Sequence, residues 1–484
     1  MTTFYFYDFE TFGTDPARDW PCQFAGIRTD GNFREIGEPL NIYCRLPDDQ
    51  LPHPEACLMT GITPDEANEK GVCEAAFIAR INQEFSVPNT CVLGYNTIRF
   101  DDEVTRHSLY RNFQDPYARE WKNGCSRWDL IDVVRLCAAL RPDGISWPRR
   151  EDGTHSFKLE DLTKANGIVH EGAHDALSDV RATIAMARLV REVQPKLFDF
   201  VLSHRLKHQV AKQLDTISFR PRPVVHISGK YPAAKHCMAI VAPLGGHPTM
   251  KNEVIVYDLS VDPTPLLELS AEDIRHRMFT STQVLQDEGV ARIPVKTIRL
   301  NRSPIVVPWK TAREEDCERI GLDRSLCMKH YDMLFAESEV AKALRLKMAE
   351  VFNSGEREDS DDPDLMLYSG GFFSNEDRNL MAQIVNTPPV DLAGLSLPFS
   401  DGRLEEMLFR YRARNWPEYL NDQERVEWQV FRKQRLGHGE KLNFQIYFER
   451  LESLLAEEVN PGRREVLINL YNYGRRLADD LAVA

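Results

Sequence analysis

Polar and apolar residues follow one another at the start of the chain in a pattern that only a strand accommodates. Phe4-Tyr5-Phe6-Tyr7-Asp8-Phe9-Glu10 sets two acids two residues apart inside an aromatic run, and strand side chains alternate between faces. Residues 4–9, 24–28 and 41–45 predict three short strands of a meander, and Cys91-Val92-Leu93 a buried strand near 91–95. Apolar spacing predicts helices over 74–85, 102–113, 127–140, 159–165 and 175–193, with Pro195 ending the last. Thr63-Pro64-Asp65-Glu66 has the form of a capping box with proline at the first helical position. Residues 1–194 thus read as an α/β unit, a mixed sheet flanked by helices.

The pattern then changes. Val224-Val225-His226-Ile227, Met238-Ala239-Ile240-Val241, Val254-Ile255-Val256-Tyr257 and Lys296-Thr297-Ile298-Arg299-Leu300 read as strands between Pro- and Gly-rich turns, predicting a β-rich domain over 195–350. Residues 351–363 are polar, acidic and rich in breakers, the signature of an exposed linker. Helical spacing at 375–385, 401–413, 421–435, 441–457 and 462–480 predicts an all-α extension over 364–484.

Composition narrows the class. A chain of 484 residues can build two or three domains, and 42% hydrophobic with 28% charged content is ordinary for a soluble protein. No stretch approaches the roughly eighteen apolar residues of a membrane span, and none reads as a signal peptide, so a cytoplasmic protein without membrane association is expected. Ten cysteines without a C-x-x-C pair indicate neither zinc nor a disulfide framework. A net charge of −14 argues against a protein that coats nucleic acid. It leaves room for a nuclease, whose strand path needs only a local basic groove.

Asp8 and Glu10 share a strand face roughly 6–7 Å apart, where ionised carboxylates repel unless a cation sits between them, and hard divalent ions take oxygen ligands. An edge strand with a solvated acidic face is the plainer alternative. Asp101 stands where a strand ends and a helix begins, a cleft position or an N-cap. His174 and Asp179 flank the entry to the helix predicted over 175–193.

The order Asp8-x-Glu10, Asp101 after Asn96-x-x-x-Phe100, and His174-x-x-x-x-Asp179 resembles the DEDDh family of 3′→5′ exonucleases. Phosphodiester hydrolysis needs an activated water and a stabilised leaving oxygen, which two divalent ions about 3.5–4 Å apart supply. Four carboxylates can bridge such ions, and a neutral imidazole can accept the water's proton. Further runs are similar to the bacterial exodeoxyribonuclease I family, among them 100–106, Asp115-Pro116-Tyr117-Ala118, Ser126-Arg127-Trp128-Asp129-Leu130, 162–168, Gly370-Gly371-Phe372-Phe373-Ser374 and 409–415.

That resemblance implies a ribonuclease-H-like exonuclease domain, an SH3-like β-rich domain and an all-α C-terminal extension. It implies magnesium as cofactor, two ions that manganese can replace, held by Asp8, Glu10, Asp101 and Asp179. Glu10 would also touch the terminal 3′-hydroxyl, and His174 would be the general base. Met59, Arg106, Tyr117, Trp121, Arg135, Phe157 and Lys158 become candidates for the strand path, Met59 as an apolar wedge; core packing is the alternative for Met59 and Trp121. Lys158 stands where other members carry arginine, keeping the charge without the fork. Arg410, Arg412 and Arg414 around Tyr411 suit a backbone-tracking surface, an acidic partner or a solvated helix face, and the mixed charges from Arg425 to Lys441 read as solvated. The implied activity is processive degradation of single-stranded DNA to 5′-mononucleotides, in DNA repair and recombination. The implied protein is a monomer recruited by the acidic C-terminal tail of single-stranded-DNA-binding protein. A 3′→5′ ribonuclease of the same catalytic class and a catalytically idle DNA-binding scaffold remain as rivals.

Overall fold

The computed structural model describes residues 2–170, 175–353, 360–439 and 441–483. Its contacts divide into two units. One comprises Met1–Ser126, His170–Arg181 and Arg357–Ala484, the other Arg127–Val169 and Ala182–Glu356.

In the first unit β1 (Thr3–Thr11), β2 (Pro21–Thr29) and β3 (Leu40–Tyr43) form the expected antiparallel meander, and β4 (Thr90–Gly94) adds parallel to β1, giving the order β3-β2-β1-β4. Gly94 is required where β4 meets β1, since a Cβ there would lie 2.5 Å from the Tyr7 carbonyl oxygen. Tyr5, Tyr7 and Phe9 pack with Phe24 and with Phe77, Ile81 and Phe85 of helix Glu74–Phe85. Leu436, Tyr447, Leu451, Leu467 and Leu470 belong to the same cluster, so helices Asp422–His438, Phe444–Glu457 and Pro461–Val483 share their core with the sheet. On the other face Phe4 and Phe6 meet the edge of Phe33. Rings therefore line both faces of β1, and the acids occupy only its C-terminal end.

The second unit carries β6 (Val224–Ile227), β7 (Met238–Gly246), β8 (Glu253–Asp258), β9 (Val295–Arg299) and β10 (Val306–Pro308) in an antiparallel sheet of order β10-β6-β7-β8-β9. Helices such as Ala271–Phe279, Arg324–Leu334 and Ser338–Phe352 surround it and account for more of the segment than its strands do.

Several local expectations need correction. Ser126–Asp129 is a strand, β5, where a helix was expected over 127–140; its four positions are all buried, so no alternation marks it. Asp129 accepts the Ile131 N–H (3.0 Å) and opens helix Ile131–Leu140. Pro195 does not merely end a helix but starts Pro195–Ser203 at its first turn, where its missing N–H costs nothing. Of the capping box the Thr63 half is formed, its hydroxyl accepting from Glu66 N (3.3 Å), with Pro64 at the first helical position.

Parts of the acidic segment and of the basic runs after it are buried rather than solvated, although Arg425, Lys433 and Lys441 are exposed as expected. Residues 354–359 lie outside the described residues, but Pro363 and Asp364 are buried and Asp362 accepts from Arg410 Nη1 (2.5 Å). Arg410, Arg412 and Arg414 are buried too. Arg414 binds Asp49 (2.9 Å) and Asp364 (2.8 Å), Arg410 binds Asp364 (2.9 Å), and Arg412 is paired with Glu424. Arg432 is likewise buried, bound to Asp480 (2.8 Å) and the Asp48 carbonyl (3.0 Å). These arginines serve the interior, because each finds an acid on another element that composition alone does not reveal. All ten cysteines are free thiols, and among the described residues no helix is long and apolar enough to cross a membrane.

Candidate metal centre and strand-binding residues

Three segments of the first unit deliver carboxylates to one place. β1 projects Asp8 and Glu10 from one face, and Asp179 comes from the first turn of helix Ala176–Val193. Carboxylate oxygens of Asp8, Glu10 and Asp179 all lie within 4.8 Å of one another. Asp101 opens helix Asp101–Arg111 after a left-handed Asn96 (φ 66°) and a turn of 3-10 helix have reversed the chain beyond β4. It does not cap that helix. Its Oδ1 instead accepts the backbone N–H of Phe9 (3.0 Å), fixing it against β1 between the two acids.

The electrostatics follow from this crowding. Burial, then the negative charges of Asp101, Glu10, Asp179 and Asp175, hold the Asp8 carboxyl well above the usual carboxylate range. Burial, then Asp179, Asp101 and Asp175, push Glu10 up to about 9. Carboxylates in such a field gain when a cation replaces the protons. An all-oxygen donor set of this kind fits a hard divalent ion, magnesium or manganese, and not a soft one.

His174 lies outside the described residues. A histidine that sequence reasoning did not single out, His170, places Nε2 against Asp179 Oδ1; its only signal was standing four residues before His174. Asp175 was also missed. It joins the field at Asp8 and Glu10 and caps its helix by accepting Ser178 N (3.1 Å).

The candidates for strand contact divide by exposure. Trp121 is 67% exposed and Met59 62%, so neither packs in the core. Lys158 is exposed, with Glu160 3.8 Å away. Arg106 is only 3% exposed. Its guanidinium grips Glu120 through Nε (2.8 Å) and Nη2 (3.0 Å) and reaches Glu103 (3.2 Å) and the Tyr368 hydroxyl (2.9 Å). Tyr117 lies over that guanidinium, 5.3 Å from ring centroid to Cζ. Phe157 is buried, edge-on to Trp147 and His155, with Arg135 5.8 Å from its ring centroid and held by Asp132 (2.7 Å). Arg106 and Phe157 are thus interior groups.

Comparison with known proteins accounts for the whole chain. The Exonuclease family matches residues 5–187, the Exonuclease I SH3-like domain 205–354 and the Exonuclease I C-terminal domain 361–477. Exodeoxyribonuclease I of Escherichia coli is 49% identical over 479 residues, covering 99% of this chain and 98% of its own. The crystal structure of E. coli exonuclease I in complex with a dA16 oligonucleotide superposes with a TM-score of 0.94 at 46% identity, over 99% of this chain and 100% of that one. A moderately thermophilic exonuclease I from Methylocaldum szegediense gives a TM-score of 0.93 at 50% identity, with coverage of 99% and 100%. An acid cluster in DEDDh order, followed by the SH3-like and C-terminal segments of exonuclease I at near-half identity throughout, makes this chain a member of the exodeoxyribonuclease I family.

Proposed function

We propose that the protein is a magnesium-dependent 3′→5′ exonuclease that degrades single-stranded DNA to 5′-mononucleotides, processively and in the service of DNA repair and recombination. The observation that carries the reading is the convergence of Asp8, Glu10 and Asp179, with Asp101 fixed beside them, in a member of this family. Asp8, Glu10, Asp101 and Asp179 would hold two divalent ions. Bound there, the ions supply a water that is nucleophilic at neutral pH and stabilisation of the leaving oxygen. Glu10 also accepts a hydrogen bond from the terminal 3′-hydroxyl, which places the last phosphodiester over the acids. His174 takes the proton of the attacking water, a role that suits an imidazole at neutral pH.

Trp121 and Met59 offer exposed apolar surface to successive bases, the sequence-tolerant contact that single strands favour. Lys158 meets phosphate as a point charge. Tyr117 presents its ring with Arg106 fixed behind it, while buried Phe157, with Arg135 beside its ring, supports the strand path from the interior. The oligonucleotide bound to the E. coli relative supports this choice of substrate. The protein acts in the cytoplasm as a monomer, and the acidic tail of single-stranded-DNA-binding protein is the partner that family membership implies.

The test is an oligonucleotide labelled at the 5′ end, supplied as DNA, RNA or blunt duplex with magnesium or with chelator. A ladder shortening from the 3′ end on single-stranded DNA alone, abolished by chelator, is expected. Equal turnover of RNA, or turnover in chelator, would overturn the reading.

A further inference from the structure

We propose that Gln23 is a positioning residue for the acidic centre, its side-chain amide tying the start of the Asp179 helix to the strand beside Glu10. The inference rests on the metal-site reading above. Gln23 of β2 stands opposite Glu10 in the antiparallel register, so the two side chains share the acid-bearing face. It is only 1% exposed. Its Nε2 donates to Asp175 Oδ1 (3.2 Å) and Asn41 Oδ1 (3.1 Å), and its Oε1 accepts the backbone N–H of Ala176 (3.5 Å). Asp175 in turn receives Ser178 N on Oδ2 (3.1 Å), and its carbonyl receives Asp179 N (3.1 Å). One buried amide therefore holds the cap residue and the first N–H of the helix, one turn before Asp179 joins Asp8 and Glu10.

A space-filling role would be met by any side chain of that length. The polar contacts are what a filler lacks, and a buried amide without partners is costly. Partners that orient a metal ligand typically change metal affinity or activity about 10–100-fold when removed. Gln23→Met keeps length and burial while deleting both halves of the amide.

Manganese binding to the full chain by calorimetry, thermal unfolding, and steady-state kinetics on a DNA oligomer should be measured for wild type, Gln23→Met, Asp175→Ala and the double variant. Gln23→Met should weaken manganese binding and lower kcat, each about 10–100-fold, with KM for DNA unchanged. Asp175→Ala removes the same hydrogen bond from its exposed end and should reproduce the loss even if Gln23→Met fails to fold. The double variant should be no worse than Asp175→Ala. A folded Gln23→Met with wild-type manganese affinity and kcat would overturn the inference, as would losses that multiply in the double variant. Absence of manganese binding to the wild type would instead overturn the metal-site reading, and this inference with it.

Discussion

Two clusters of carboxylates lie in the same unit of this protein, a buried one at Asp49 and Asp364 and a half-buried one at Asp8 and Glu10, and they have been treated in opposite ways. At Asp49 and Asp364 each acid is met by arginine: Arg414 bridges the two, Arg410 adds to Asp364, and Arg435 approaches Asp49 at 3.7 Å. Burial alone would raise both carboxyls, yet Arg414 with Arg435, and Arg414 with Arg410, hold them below the usual carboxylate range. At Asp8 and Glu10 burial acts in the same direction, and the neighbouring charges that shift them are more carboxylates. Asp101 and Asp102 show the contrast within two residues, since Asp102 turns to Arg119 (2.6 Å) while Asp101 turns to the acids of β1. The first cluster brings its own cations. Among the described residues the charges acting on Asp8 and Glu10 are all negative, and the basic partner recorded in the second cluster is His170 against Asp179, a pattern that suits a metal site.

Neutralising one member should therefore have opposite consequences in the two places. Asp8→Asn removes one of the proposed metal ligands and relieves repulsion. DNA hydrolysis should fall to background, while the chelated protein unfolds at an unchanged or higher temperature in a scanning fluorescence assay. A clear loss of stability would mean that Asp8 is balanced like Asp49. Arg414→Met leaves two buried acids without their bridge and should cost about 3–5 kcal/mol in a denaturant titration. Turnover per folded molecule should stay near that of the wild type.

The same contrast sets a pH dependence. In the chelated protein Glu10 keeps its proton up to about 9, against an ordinary value of 4.5 in the unfolded chain. Between those values the folded form binds more protons than the unfolded one, so stability falls as pH rises through that window. Saturating magnesium, which favours the ionised carboxylate, should flatten the profile by stabilising most at the alkaline end. Melting temperatures measured across the window with magnesium and with chelator would show it, and Glu10→Gln should make the chelated profile shallower, with Asp8 keeping the remaining slope. A magnesium effect that does not grow with pH would contradict the coupling.

Why one cluster was legible in the sequence and the other was not follows from how each is encoded. Asp8 and Glu10 announce themselves because charge on a strand of rings is costly, and their spacing fixes a shared face. Helix boundaries such as Glu74–Phe85 and Leu159–Ala165 were readable from periodicity because one side of each faces a core. The arginine network has no local signature. Asp49 lies more than three hundred residues from Asp364 and Arg414, and Arg410, Arg412 and Arg414 carry the same letters whether they meet solvent, phosphate or a buried acid. β5 was missed for a related reason, as a strand buried on both faces shows no alternation. Gln23 and Asp175 gave no signal because their roles arise from register between segments.

The smallest effect expected tests whether burial sets the worth of these pairs. Lys441 reaches Asp15 at 3.0 Å, the side chains being 64% and 34% exposed. The distance differs little from that of Arg414 to Asp49, and so do the formal charges. Water, however, already solvates both ions of the exposed pair when it is broken, and holding the long lysine side chain costs rotamer entropy. Such pairs contribute about 0–1 kcal/mol, and screening at about 1 M salt confines their attraction to a few ångströms. Lys441→Ala should therefore shift the denaturant midpoint barely, and less still in high salt. A cost equal to that of Arg414→Met would mean that proximity rather than desolvation governs these pairs, and the account of the uncompensated acids at Asp8 and Glu10 would fall with it.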